Sequence, residues 1–467
     1  MFAQGQHVIW ANKNNLDKRT DFTKVIGQNK YGVYVLKHKN ASFKRYFILE
    51  YFDKRMNLLR SKTFKIPGSE LEKIIVTNDG VLFFTKEIGK GFSYKLKMNA
   101  IDSGMNESYV CTIANSENFN HENVNFRIEY NNSRNKFLVW YLSNYGENTK
   151  LIYHLCNQKE VLKTGETLIK SRQTEIYINE VCLDDTGNFY YIQSISERFK
   201  SKNAEDFKHY ICAINLYNNK TLTELINNSK TFLNSYKICY NPTNSYINVT
   251  GLYGELDEDD NMGYFTVNIN TKTFEIFNSM FHTFDRRLVS NIVGFKNESK
   301  GDNLNKFKIK KLIPKTDGGV LLIAERIFIT TQSDIFYVNG IPQSSYARIF
   351  NNDEVIILSL DLAGDVLWQD AIIKNQASVN DGGYYNSIIV MVNEDNFNIM
   401  FNDKLNANSD IIQVTYKADG SHTKKILLNN DQFFALVIPN EYSQVSANSI
   451  VIPINQNREF TYIKLVY

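Results

Sequence analysis

The stretch Lys306–Lys374 constrains the fold more than any other part of this 467-residue chain. It holds two pairs of apolar runs. Ile309–Ile313 and Val320–Ala324 are joined by Lys315-Thr316-Asp317-Gly318-Gly319, and Glu354–Leu360 and Val366–Ile373 by Asp361-Leu362-Ala363-Gly364-Asp365. Asp and Gly at such joints suit tight turns, because Gly takes positive φ at no steric cost and Asp bonds its own backbone. Four strands joined this way form one antiparallel unit. Recurrence of that unit along a chain is the signature of a β-propeller, whose blades stack around an axis.

The unit does recur. First strands begin near residues 24, 71, 124, 176, 236, 309, 388 and 433. Turn signals within units include Asn78-Asp79-Gly80, Asp184-Asp185-Thr186-Gly187 and Asp419-Gly420. Along Tyr46–Tyr51 both alternating faces are largely apolar, as expected for sheets sandwiched between neighbours. The expected fold is all-β: a β-propeller of eight four-stranded blades, with seven as the alternative if one weak unit is misread. The last unit supplies only Phe433–Ile438, Ser449–Ile454 and Phe460–Tyr467. His7-Val8-Ile9-Trp10 resembles the fourth strand Asp365-Val366-Leu367-Trp368 and is expected to complete that blade, closing the ring and hiding its edges. Residues 7–467 then form one domain. Residues 1–6 read as the remnant of a signal peptide, a short apolar stub ending in a small residue, so export is expected.

Propeller repeats of roughly 40–50 residues are usual, so the fifth and sixth units carry insertions, Phe281–Asn305 and Thr330–Asp353. Long loops on a rigid ring are where such folds carry recognition. Phe281, Phe284, Arg286, Arg287, Ile335, Phe336 and Tyr337 are accordingly the candidate partner-contact residues.

Composition and motifs bound the function further. A net charge of +3 creates no strong field for polyanions, so no nucleic-acid partner is expected. No apolar run reaches the about 18 residues that suggest a transmembrane helix. The seven histidines show neither His-x-His nor His-Glu-x-x-His spacing. The acidic run Glu255–Asn261 fails the EF-hand pattern at Met262, where Gly is needed, and reads as a solvated hairpin tip. Gly-x-Ser-x-Gly, P-loop and dinucleotide fingerprints are missing. No catalytic residue, metal site or cofactor is therefore assigned. Gly89–Ser93 reads as a hairpin turn. Asp185–Tyr190 partly resembles the Asp-box turn of sialidase-like propellers, which is structural. Lys306, Lys308, Lys310 and Lys311 read as solvated positions guarding a strand edge. Cys111, Cys156, Cys182, Cys212 and Cys239 read as free thiols inside strands, with Cys111–Cys156 and Cys182–Cys239 as open disulfide alternatives. The first strands carry mixed charge, with no pair of acids that stands out for glycoside hydrolysis.

The segments Asp353–Trp368 and Asp410–Gly420, with the bias toward Asn, Lys, Ile, Phe and Tyr, resemble exported β-propellers of Bacteroidota. The pattern covers nearly the whole chain. Within that class the chain is similar to Plug-type subunits of the type 9 secretion translocon. The resemblance implies a periplasmic, non-enzymatic protein that binds an outer-membrane complex and seals the periplasmic end of its channel. A carbohydrate-binding or glycan-hydrolysing propeller is the alternative.

Overall fold

A computed structural model describes residues 6–12, 22–38, 46–66, 69–89, 93–116, 124–145, 148–170, 175–196, 207–227, 231–254, 261–293, 304–338, 341–405, 409–429, 435–456 and 459–467. The remnant at 1–5, the acidic run at 255–260 and the centre of the Gly89–Ser93 turn lie outside the described residues. The chain forms eight antiparallel sheets, and in seven of them the four blade strands follow chain order. Blades 1 to 7 span 22–65, 69–116, 127–170, 175–225, 232–283, 307–372 and 389–428. First strands of blades 1 and 2, 3 and 4, 4 and 5, and 5 and 6 lie side by side, which makes the first strand innermost and the fourth outermost.

Blade 8 joins the two ends of the sequence. Its inner strand is broken into Ala435–Val437 and Ser443–Ser446, both paired with Ser449–Gln456. Glu459–Val466 follows, and His7–Trp10 adds outside it, with His7 opposite Val466 and Trp10 opposite Ile463. The expected closing strand is thus in place, and the eight-blade reading holds over seven. Ser443–Ser446 was not expected: one apolar residue among polar ones gives no period to read.

The apolar core is divided into eight clusters, each straddling two neighbouring blades. Phe47 and Phe83 sit between blades 1 and 2, Phe84 and Phe137 between 2 and 3, and Leu155 and Phe189 between 3 and 4. Tyr190 with Phe265, Leu252 with Leu322, Ile357 with Phe401, and Met400 with Ile452 continue the series. Val33 and Tyr462 close it between blades 8 and 1, where the Tyr462 and Thr23 hydroxyls lie 2.7 Å apart. Both faces of a blade are buried in this way, which is why both alternating sets of a strand are apolar. Each large side chain so buried contributes roughly 1.5–3 kcal/mol.

The turns are where the sequence placed them. Gly318 and Gly364 hold φ of 92° and 94°, a region that a Cβ disfavours. In the partial Asp-box the anchoring carboxylate is Asp184. It accepts the backbone N–H groups of Gly187 and Asn188 at 2.8 Å, while Asp185 reaches Asn131 of the preceding blade. Phe274 stands in a turn with φ of 60°, and the outer strand of blade 5 runs Ile276–Thr283. Thr221–Leu225 is a strand, as the repeat required. All five cysteines are free thiols; burial pushes Cys156 and Cys239 up to about 12. Neither alternative disulfide forms.

The inner strands share one irregularity. Their register slips by a residue at Ile26, Glu72, Asn179, Asn234, Lys310 and Val445, in blades 1, 2, 4, 5, 6 and 8. A β-bulge of this kind re-aims the extra side chain and strengthens the local twist.

Candidate functional site

The two faces of the ring are built differently. At one face emerge the connections from first to second and from third to fourth strands. Many of these are short turns capped by a side-chain oxygen: Asp102 accepts from the Asn106 N–H at 2.8 Å and Asp361 from the Asp365 N–H at 2.9 Å. At the other face emerge the connections from second to third strands and from each blade to the next. Here blade 4 leaves its second strand at Ser196 and re-enters its third at Phe207, and here the hairpin of blade 6 projects.

That hairpin consists of Val320–Val338 and Ile341–Leu360, 19 and 20 residues long, whereas Phe189–Ser196 belongs to a strand of 9 in blade 4. The segment Thr330–Asp353, expected as a loop insertion, is therefore a continuation of two blade strands. A bulge at Arg326 marks its root, and the ladder continues from Ile327–Asn352 pairing to Val338–Ile341 pairing. The ten pairs beyond Phe328 extend roughly 30 Å at about 3.3 Å per residue. The missed signal was Asn339-Gly340, the dipeptide that most favours a two-residue hairpin connection. At the root a third strand, Gln376–Val379, pairs with Ile349–Asn352.

The root is fixed by buried charge. Glu325 is wholly buried and meets the Lys374 ammonium at 2.8 Å, the Ser387 hydroxyl at 2.5 Å and the Asn352 amide at 3.0 Å. Lys374 also donates to the Asn352 carbonyl at 2.6 Å and to Gln376 at 2.9 Å. Gln376 in turn donates to the Asn402 carbonyl of blade 7. Burial pushes Lys374 below its ordinary value, with Glu325 opposing.

The structure separates the candidate contact residues. Ile335 is 71% exposed near the hairpin tip, and Tyr346 on the facing strand is 68% exposed. The backbone of Phe336 and Tyr337 pairs with Gln343 and Pro342, while their side chains lie outside the described residues. Phe284 is buried rather than exposed, and Phe281 is half-buried. Phe281 is part of the outer strand of blade 5 and packs on Tyr253 and Phe265, at 5.1 and 5.4 Å between ring centroids. Phe284 is 6% exposed and joins Leu288, Val289 and Leu304 in the core. The expected insertion begins at Phe281, whereas the outer strand of blade 5 runs on to Thr283. Arg286 and Arg287 are exposed in the first turn of a helix, Arg286–Val293, whose start is capped by Asp285. The helix packs beside the outer strand of blade 6.

Around the axis, charges pair between neighbouring blades. Lys24 meets Glu441 at 3.2 Å, Lys73 meets Glu129 at 3.7 Å, and Glu180 meets Lys237 at 2.6 Å. Burial raises all three carboxyls, with the facing lysine opposing in each case. The lysines read as guards of a strand edge belong here too. Lys310 lies 3.8 Å from Glu325, and Lys311 donates to the Val390 carbonyl at 3.3 Å, with its pKa pushed down by burial. Lys308, Lys310 and Lys311 sit on the inner strand Phe307–Pro314 and are half-buried.

Beside this belt, between blades 4 and 5, lies a cavity of about 350 Å³. Its wall includes Asn179 and Asn234, the two bulged residues of those inner strands. Behind them runs a chain of hydrogen bonds. The Asn179 amide donates to the Tyr236 hydroxyl at 2.9 Å, that hydroxyl and Ser194 Oγ are 3.0 Å apart, and Ser194 Oγ is 2.8 Å from His209 Nδ1. Burial pushes His209 down to about 4, so its ring is neutral at neutral pH. Sequence spacing gave no hint of this cluster, since its parts come from four strands of two blades. Among the described residues no group of three or more His, Cys, Asp or Glu could hold a metal ion, and no helix is long and apolar enough to cross a membrane.

No family model matches the chain, and no curated protein matches it. Solved structures resemble it in overall shape. The WD40 domain of SCAP from fission yeast aligns over 99% of this chain and 98% of its own, at 10% identity and a TM-score of 0.39. A eukaryotic initiation factor aligns over 97% and 92%, at 9% identity and a TM-score of 0.42. Prolyl oligopeptidase B from Galerina marginata aligns over 94% of this chain and 56% of its own, at 10% identity and a TM-score of 0.42.

Proposed function

We propose that the protein is a non-enzymatic docking propeller that binds a membrane-associated protein complex through its hairpin-bearing face. The observation that carries this reading is the projecting hairpin of blade 6. Two strands continue roughly 30 Å past the blade, bearing exposed Ile335 and Tyr346, and a buried ion pair anchors their root. Exposed apolar groups on a rigid arm cost solubility unless something covers them, and a partner surface does so. Following the sequence resemblance, the partner is an outer-membrane translocon of the type 9 secretion class. The propeller would sit on its periplasmic side and close the channel.

The test uses the full chain in its native host. Residues 332–347 are excised and Thr331 is joined to Arg348 through Asn-Gly, which keeps the third strand at the root paired. Affinity purification of the intact protein should recover an outer-membrane complex, and the shortened protein should lose it while keeping its melting temperature. Recovery of the same complex by both proteins, or of none by the intact one, rejects the proposal.

A further inference from the structure

We infer that the cavity between blades 4 and 5 is a binding site for a neutral saccharide. The inference is independent of the docking role, because it rests on a different part of the ring.

The cavity is formed by construction. In blades 1, 2 and 6 the bulge presents a charged or apolar residue, namely Ile26, Glu72 or Lys310. Only in blades 4 and 5 are neighbouring bulges both asparagine, and both line the same cavity of about 350 Å³. That volume falls within the range of small-ligand sites, roughly 300–1,000 Å³. Bulges are common beside functional sites because they turn a side chain out of the ladder.

The lining selects the chemistry. Two amides and the hydroxyls of Ser235 and Tyr236 bring donors and acceptors close together, with one Asn234 N–H already given to Asn261 at 2.9 Å and Ser235 Oγ already accepting the Ile309 N–H at 2.9 Å, so the second amide protons, the Asn179 oxygen and the Ser235 O–H are what a ligand can use. An apolar ligand would strip water from these groups and return nothing, at a cost of roughly 1–3 kcal/mol each. A cation is disfavoured because the one carboxylate, Glu180, is already held by Lys237 at 2.6 Å. An anion is disfavoured by that same carboxylate and by the neutral His209. A ligand that is neutral and dense in hydroxyls fits what remains. Aromatic rings complete the wall: Phe232 stands edge-on to the His209 ring at 6.1 Å, and Tyr177 is 43% exposed at the rim. Such rings pack against the C–H face of a sugar while its hydroxyls bond the amides. The chain from Asn179 through Tyr236 and Ser194 to His209 holds the floor in one arrangement before a ligand arrives, which lowers the entropy lost on binding.

Saturation-transfer NMR of the full chain tests the inference, with a panel of neutral mono- and disaccharides, and with amino acids and nucleotides as parallel probes. The wild type should give signals from at least one saccharide and none from the charged probes. Asn234→Ala should weaken the same sugar roughly ten-fold, the scale of a lost hydrogen bond. Tyr177→Ala should do likewise with an unchanged melting temperature, since its ring sits at the rim. Silence from every saccharide, binding of a charged probe instead, or equal sugar binding by a folded Tyr177→Ala variant overturns the inference.

Discussion

Single side chains set how the protein responds to acid. His154 lies inside blade 3 with Nδ1 3.0 Å from the Thr164 hydroxyl and its ring stacked on Tyr141. Burial pushes its pKa from 6.5 down to about 4. The folded form thus binds a proton less readily than the unfolded chain, so its contribution is complete above about pH 6.5 and is lost as pH falls toward 4. A shift of that size corresponds to about 3 kcal/mol. Glu129, Glu180 and Glu441 act with the opposite sign: their raised values add stability below the ordinary 4.5 that fades as pH rises through the folded value. Denaturant melts at neutral pH and near pH 5 should therefore show a fall in stability that His154→Gln reduces by about half, His209 supplying the rest. An unchanged fall in that variant would assign the effect to other groups. None of these burials was readable beforehand, because a histidine at an alternating position looks the same on an exposed or a covered face. Asn179 and Asn234 were equally silent: a bulge leaves no local period, and the residues that share a cavity come from different blades.

Strands and turns were the legible elements. The Asp361–Asp365 turn and its relatives announce themselves through Gly and Asp, and the runs between them have the length and apolar character of buried strands. Polar residues such as Gln332 and Ser333 interrupt the apolar run that identifies a buried strand, so the sequence alone presents the blade 6 hairpin as an insertion. Among the described residues only Gln376–Val379 pairs with this part of the hairpin, at its root, so beyond it the ladder rests on its own backbone pairing. Its stiffness depends on the root. Lys374→Met should cost about 3–5 kcal/mol, because it strands the Glu325 carboxylate in a site without water. Glu325→Gln with Lys374→Met together should recover most of that loss. Thermal or chemical melts of the three proteins decide the matter; equal stabilities for the single and double variants would show that the charge pair is not the source.

At the scale of the whole molecule, closure depends on His7–Trp10 covering the outer edge of Glu459–Val466. Ile9→Pro removes a ladder N–H and cannot be tolerated at a paired position. The variant should lose roughly 1–3 kcal/mol and expose a strand edge, giving concentration-dependent oligomers by size-exclusion chromatography. A monomer of native stability would show that the strand is dispensable. The number of blades was readable from the count of repeats, and the closing strand from the likeness of Val8-Ile9-Trp10 to Val366-Leu367-Trp368. The distinction between the two faces was not, since connection lengths acquire a side only once strand directions are known.

Pairing His7 with Val466 also imposes an order of events. The strand made first has to wait for a partner made last, and seven blades must form in between. A chain leaving a ribosome or a translocation pore holds that strand unpaired throughout, as an edge open to chaperones or to the wrong blade. The last step is then a ring closure of very long sequence separation, slow compared with the folding of any single blade. Two chains closing at once have a second solution, in which each lends its first strand to the other, and dilution during folding is what keeps the molecule single.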